Sequence, residues 1–337
     1  ADLTRTYGNR ALIVTGAKSF SDSERWRQLL QRFSTLDIRY GHVTVNGEPS
    51  ADMIDQAVTA HAAAHVDVVV GIGGGSAMDA AKAIAGLLRI KQSVMDFLEG
   101  VGPELPYPGP AVPLIAVPTT AGTGSEATKN AVLSKPGKDG FKKSFRNDEL
   151  VAEVAIVDPD LLSSCPRDVI AANGMDALTQ LIESYVSIKA NAFTDALGIS
   201  ALRAARDGLI RLYQSEGADA DARERMAYAS LVSGINLAQT GLGSVHGLAS
   251  PVGAFYPVPH GVVCGTLVAT ATRVNINAMF EREPDNIALK RYARVSEVLW
   301  QRRFQSTNDA LDRLIELLQQ WTEELQLEKL SSYGLEP

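Results

Sequence analysis

The sequence predicts an α/β half over residues 1–162 followed by an all-helical half over residues 163–337. Three observations carry this reading. Up to residue 157, short apolar runs alternate with helical stretches, the pattern of βαβ units around a mostly parallel sheet. After Asp158-Pro159-Asp160 the strand-like runs all but vanish, and Ala, Leu, Glu and Arg recur with a 3.6-residue period to about Gln326. Finally, 337 residues exceed what a single core usually serves.

Taken in order, Ala11-Leu12-Ile13-Val14-Thr15 reads as a buried strand and Ser23 to Phe33 as a helix. Asp37 to Val45 reads as a second strand. An amphipathic helix opens at Pro49-Ser50-Ala51-Asp52, with Ser50 a good N-cap. Val66 to Ile72 is apolar on both faces, as strands in covered parallel sheets are. Val112 to Val117 and Val154 to Val157 repeat that pattern. Four prolines between Gly100 and Pro110 mark a surface excursion. In the second half, Asp195 to Leu212 and Asp219 to Leu237 read as packed helices.

Composition narrows the function classes. A net charge of −7, few aromatics and no basic stripe argue against nucleic acid or an anionic membrane as partner. Two cysteines, Cys165 and Cys264, form no CxxC pair and no disulfide framework, which fits a reducing compartment. No apolar run is long enough to span a bilayer, and the start lacks a signal-peptide pattern. A cytoplasmic enzyme is the expectation.

The strand ending at Ile72 runs into Gly73-Gly74-Gly75-Ser76 and then a helix, Ala77-Met78-Asp79-Ala80-Ala81-Lys82. Glycines let backbone N–H groups approach an anion, and a helix start adds unpaired donors and the positive dipole end. A pyrophosphate suits such a cradle, with Ser76 as N-cap and phosphate donor. Three ordered glycines cost roughly 0.5–1 kcal/mol each relative to alanine, which favours the cradle over the alternative of a turn used only for close strand–helix packing. The run departs from the usual dinucleotide fingerprint, having Ser76 at the last glycine position and following a later strand. Pro118-Thr119-Thr120-Ala121-Gly122-Thr123-Gly124-Ser125-Glu126, after another strand, reads as a second polar wall, or as a solvated turn.

Two of only five histidines occur in Val245-His246-Gly247 and Pro259-His260-Gly261, bracketing a loop-like apolar stretch. Imidazoles joined by a carboxylate make a metal site, and Asp176 is the available carboxylate. Gln180, four residues on, shares its helix face. A buried histidine is also common as a hydrogen-bonded core residue. His42, His61 and His65 read as incidental.

Together the four segments Gly73–Lys82, Pro118–Glu126, Gly174–Thr179 and His246–Gly261 resemble the iron-containing (group III) alcohol dehydrogenase family. The resemblance spans nearly the whole chain. It implies a Rossmann-like nucleotide-binding domain, a helical metal-binding domain, and an active site in the cleft between them. It also implies NAD(P)(H)-linked interconversion of a small alcohol with its aldehyde or ketone, a divalent metal (Fe²⁺ or Zn²⁺), and a homodimer. Carried over by position, Gly73, Gly74, Gly75 and Ser76 hold the pyrophosphate with Asp79 near. Gly16, Thr119, Thr120 and Thr123 line the nucleotide, and Lys142 lies by the nicotinamide ribose. Asp176, His246 and His260 are metal ligands and catalytic residues, with Gln180 as a fourth candidate ligand.

Three departures modify these expectations. The family's iron-type members carry histidine where this chain has Gln180, a weaker ligand that shifts preference toward Zn²⁺. A further histidine, near the substrate in relatives, is Ser250. No acidic residue follows the first strand in Thr15-Gly16-Ala17-Lys18-Ser19, which favours NADP(H) over NAD(H). Two rival readings compete with the dehydrogenase. One is a nucleotide-binding protein with a degenerate metal site and a regulatory role. The other is a lyase similar to 3-dehydroquinate synthase, disfavoured by the scarcity of basic residues in the motifs.

Overall fold

The computed structural model describes residues 1–335, so the last two residues of the expected helical half, 336 and 337, lie outside the described residues. The chain divides into two units, residues 1–120 with 125–158, and residues 121–124 with the chain from Pro159 onward.

The first unit opens with helix α1 (Asp2–Tyr7) and strand β1 (Arg10–Gly16), followed by α2 (Glu24–Thr35), β2 (Arg39–Val45), α3 (Ala51–His61), β3 (Val68–Gly73) and α4 (Gly75–Leu87). Strand β4 (Leu114–Pro118), a hairpin of β5 (Asn130–Lys135) and β6 (Phe141–Arg146), and the short β7 (Val154–Ala155) complete it. The sheet is parallel throughout, in the order β2-β1-β3-β4-β7. Every residue of β3 is buried, as its unbroken apolar run requires.

Alternation along β1 sends residues to two separate cores. Leu12 and Val14 pack with Ile54, Val58, Ile84 and Leu87 from α3 and α4, and with Phe145 of the hairpin. Ala11 and Ile13 pack with Phe33 and with Leu29 and Trp26 of α2 on the opposite face. Helices thus cover both faces of the sheet. The β1–α2–β2 unit builds outward in one direction, and the chain then returns through α3 to place β3 on the other side of β1. The point where the strand order reverses therefore lies between β1 and β3, the place where open α/β sheets bind ligands.

The second unit is helical: α5 (Arg167–Val186), α6 (Ala192–Gln214), α7 (Ala220–Thr240), α8 (Ser244–Phe255), α9 (His260–Arg282), α10 (Ile287–Trp300) and α11 (Thr307–Glu324). Helix α5 is buried along nearly all its length, and α6, α7 and α9 pack against it. No described helix is long and apolar enough to cross a membrane.

Four features differ from the sequence expectations. The hairpin β5–β6 was not foreseen, its strands being short and rich in Lys, Ser and Arg. The expected strand 154–157 shrinks to two paired residues. The stretch read as a loop around the two histidines is helical on both sides of a break, since α8 continues through Pro251 and α9 begins at His260. Gly74, not Ser76, is the N-cap of α4, and Ser76 lies inside the helix.

Candidate functional site

Helix α5 is the floor of the candidate metal site. Asp176, Gln180 and Glu183, at spacings of four and three residues, project from one side of a long, largely buried helix. Helix α8 brings His246 and helix α9 brings His260. The Asp176 Oδ1 atom lies 3.1 Å from His246 Nε2 and 3.8 Å from His260 Nε2. The two rings are 5.4 Å apart between centroids.

A fourth donor, Cys264, stands one turn after His260 on α9. Its Sγ is 3.6 Å from His246 Nε2 and 3.7 Å from His260 Nε2. One ligand atom from each of Asp176, His246, His260 and Cys264 lies within 4.8 Å of all the others. Asp176 is fully buried, and its Oδ2 atom has no hydrogen-bond partner. An unanswered carboxylate oxygen costs on the order of 1–3 kcal/mol or more, which a divalent cation among these donors would offset. The donor set therefore fits a cation.

Glu183 fixes the orientation of His246. Its Oε2 is 2.6 Å from His246 Nδ1, and its Oε1 accepts from the Val245 N–H at 2.7 Å. The same carboxylate thus answers a free N–H in the first turn of α8 and points His246 Nε2 at Asp176. The charges agree with the geometry. Burial alone would raise the Asp176 pKa, but His260 and His246 beside it outweigh burial and lower it to about 2. Burial opposes a charge on His246, yet Cys264, Asp176 and Glu183 together lift its pKa well above the ordinary histidine value. Burial pushes the Cys264 thiol up to about 12, against the pull of His246.

Of the residues the sequence offered for the metal, the structure brings Asp176, His246 and His260 together. Gln180 is committed elsewhere. Its Nε2 donates to the Thr123 carbonyl at 3.2 Å, and its Oε1 lies 3.2 Å from Ser233 Oγ, whose proton the Ser230 carbonyl shares at 2.7 Å. Sequence reasoning missed Glu183 and Cys264. The signals were there, Glu183 two turns after Asp176 and Cys264 one turn after His260. They gain meaning only once three helices are known to meet.

In the first unit, Gly16 and Gly73 close the facing ends of β1 and β3. A Cβ at Gly73 would meet Ala77 Cβ at 2.6 Å and the Gly16 nitrogen at 3.2 Å, so two bare backbones abut where the strand order reverses. Thr119 donates its N–H to the Gly73 carbonyl at 2.9 Å, and Thr120 sits against Gly74. The α4 N-terminus has no side-chain cap and no acidic residue in its first turn. Its first backward hydrogen bond runs from Met78 N to Gly74 O, so the N–H groups of Gly75, Ser76 and Ala77 precede the helical ladder. This cradle suits a pyrophosphate.

The remaining expected cofactor residues have other partners. Asp79 accepts from Ser125 Oγ at 2.6 Å and lies 3.4 Å from Lys82 Nζ. Lys142, buried on β6, pairs with Glu48. Thr123 belongs to the second unit, where it receives Gln180. Lys82 was not singled out from the sequence. Fully buried, it donates to Ser125 O at 2.8 Å, Thr128 Oγ1 at 2.9 Å and the Asn130 carbonyl, pinning the segment behind the cradle.

Comparison with known proteins gives concordant matches. Residues 1–159 match the family model described as iron-containing alcohol dehydrogenase, and residues 170–335 match the C-terminal model of the Fe-containing alcohol dehydrogenase family. The long-chain-alcohol dehydrogenase 1 of Geobacillus thermodenitrificans is 40% identical over 64% of this chain and 53% of its own length. The NAD-dependent methanol dehydrogenase of Bacillus methanolicus is 35% identical over 70% of this chain and 60% of its own. The chain thus matches little more than half the length of such relatives. The crystal structure of ADH/D1, an archaeal halo-thermophilic alcohol dehydrogenase from a Red Sea brine pool, superposes with a TM-score of 0.91 at 28% identity, covering 99% of this chain and 84% of that one.

Proposed function

Because the chain belongs to the iron-containing alcohol dehydrogenase family, we propose that it is a metal-dependent oxidoreductase interconverting a small alcohol with its aldehyde or ketone, with NADP(H) as the hydride carrier. The observation that carries this reading is the convergence of Asp176, His246 and His260 from α5, α8 and α9, with a buried carboxylate oxygen left unanswered.

In this reading Asp176, His246 and His260 hold Fe²⁺ or Zn²⁺. When bound, the cation supplies Lewis acidity to the substrate oxygen and the nicotinamide carries the hydride. The protein's own groups do the rest. Asp176 contributes negative charge that offsets the cation. Glu183 keeps the proton of His246 on Nδ1, leaving the Nε2 lone pair available. The α4 N-terminus and Gly73 to Ser76 bind the pyrophosphate, and Thr119 and Thr120 flank it. Gly16 leaves room for the ribose, and no carboxylate follows it before Asp22 to repel a 2′-phosphate. Lys18 and Ser19 favour that phosphate instead.

The test is turnover of purified protein with primary and secondary alcohols, with NADP⁺ or NAD⁺, before and after chelation. The reading predicts activity lost on metal removal, restored by added Zn²⁺ or Fe²⁺, and a higher kcat/KM with NADP⁺. Turnover unchanged after verified metal removal would refute it.

A further inference from the structure

We propose that Cys264 is the fourth protein ligand of the cation, as a thiolate, making the centre an Asp-His-His-Cys site in which Gln180 takes no part. The inference deepens the functional reading and rests on the metal centre assumed there.

Three observations carry it. The first is distance. Zinc bonds of ~2.0–2.1 Å to imidazole nitrogen and ~2.3 Å to sulfur give a tetrahedral N···S edge of about 3.6 Å. The Cys264 Sγ lies 3.6 Å from one Nε2 and 3.7 Å from the other. The carboxylate edges bracket the N···O edge of about 3.3 Å that the same geometry requires, at 3.1 and 3.8 Å. The second is the orphaned Asp176 Oδ2, a fully buried acceptor in the same cluster. The third is Gln180, the residue a sequence reading puts in the fourth position. Its amide nitrogen is held by the Thr123 carbonyl at 3.2 Å, and its oxygen faces Ser233 Oγ at 3.2 Å.

Helix geometry makes the substitution easy. His260 and Cys264 are four residues apart on α9 and share a face, so one rigid helix presents both. The proton balance is simple. The Cys264 S–H bond gives up its proton to solvent as the S–metal bond forms, and no electron is transferred. Aspartate and thiolate together then neutralise a divalent charge inside a buried site. A soft sulfur donor also moves preference from Fe²⁺ toward Zn²⁺ or Co²⁺.

The experiment is Co²⁺ reconstitution of the metal-free full chain, read by absorption. Thiolate coordination predicts a near-ultraviolet sulfur-to-cobalt charge-transfer band alongside the visible d–d bands. The band should persist in C165A and Q180A and vanish in C264S, which retains d–d bands. Zn²⁺ affinity should fall at least ~10-fold in C264S and stay close to wild type in Q180A. One equivalent of Co²⁺ without a charge-transfer band in the wild-type protein overturns the proposal, whether or not any variant folds. A band unchanged in C264S overturns it too, as does failure of the wild-type chain to bind Co²⁺. The two readings fail separately. Metal-dependent turnover without a thiolate band removes Cys264 alone, whereas a thiolate band without turnover removes the dehydrogenase and leaves the ligand set.

Discussion

Replacing Glu183 separates the support of the metal site from its ligands. The side chain is buried and makes three contacts, at 2.6 Å to His246 Nδ1, 2.7 Å from Val245 N and 3.4 Å from His246 N. A carboxylate behind a ligating histidine is typically worth a factor of ~10–100 in metal affinity, or about 1.4–2.8 kcal/mol. Glu183→Gln keeps an oxygen for Val245 N but removes the charge that stabilises the Nδ1–H tautomer, so about 10-fold weaker Zn²⁺ binding is expected. Glu183→Ala also strands the Val245 N–H at the start of α8, adding about 1–3 kcal/mol of instability that the glutamine variant escapes. Competition against a chromophoric chelator gives the affinities, and denaturant unfolding of the metal-free variants gives the stabilities. Wild-type affinity in Glu183→Ala would show that His246 is not aimed by this carboxylate, and the reasoning would fail.

Four further outcomes follow from the same structure. Lys82→Met leaves the Asp79 carboxylate and the carbonyls of Ser125 and Asn130 without their buried cation, so unfolding free energy should fall by on the order of 3 kcal/mol; a loss under about 1 kcal/mol in urea titration contradicts this. Gly73→Ala forces a methyl group to within 2.6 Å of Ala77 Cβ, so NADPH affinity by fluorescence titration should drop at least ~10-fold while metal content holds. The pKa of Asp176, about 2 in the fold against an ordinary 3.8, makes its ionised form stabilising above about pH 4, and that contribution disappears as pH falls toward 2. The metal-free protein should lose about 2 kcal/mol over that window, and Asp176→Asn should abolish this part of the acid dependence. His246 runs the other way. Its raised pKa stabilises the metal-free fold below the ordinary 6.5, and that stability is lost as pH climbs through the higher folded value.

The parts of the fold written in local pattern were legible from the sequence. Val68 to Ile72 reads as a strand because both of its faces are buried, which leaves no polar interruption. The glycine run reads as a cradle because glycine density after such a strand has few other uses. The parts set by distant residues were not legible. Gly247, Pro251, Gly253 and Pro257 all argue for a loop around His246, yet α8 forms there, with Glu183 of α5 answering the Val245 N–H in its first turn. The hairpin was hidden by its polar positions, although it carries Leu133 and Phe145 into the core beside α4. At the metal site, the residue types Asp and His were recognisable singly. Cys264 and Glu183 gained their meaning from the packing of α5 against α9 and of α8 against α9, which no periodicity encodes.

Asp176, His246 and His260 are placed to close on one divalent cation. The most direct measurement is metal content by elemental analysis after exhaustive dialysis, on the wild-type chain and on Asp176→Ala and His260→Ala. Near one tightly held ion per wild-type chain is expected, with loss of nearly all of it in both variants. Equal metal content in all three proteins, or a wild-type chain that retains none after incubation with Zn²⁺ or Fe²⁺, would contradict it.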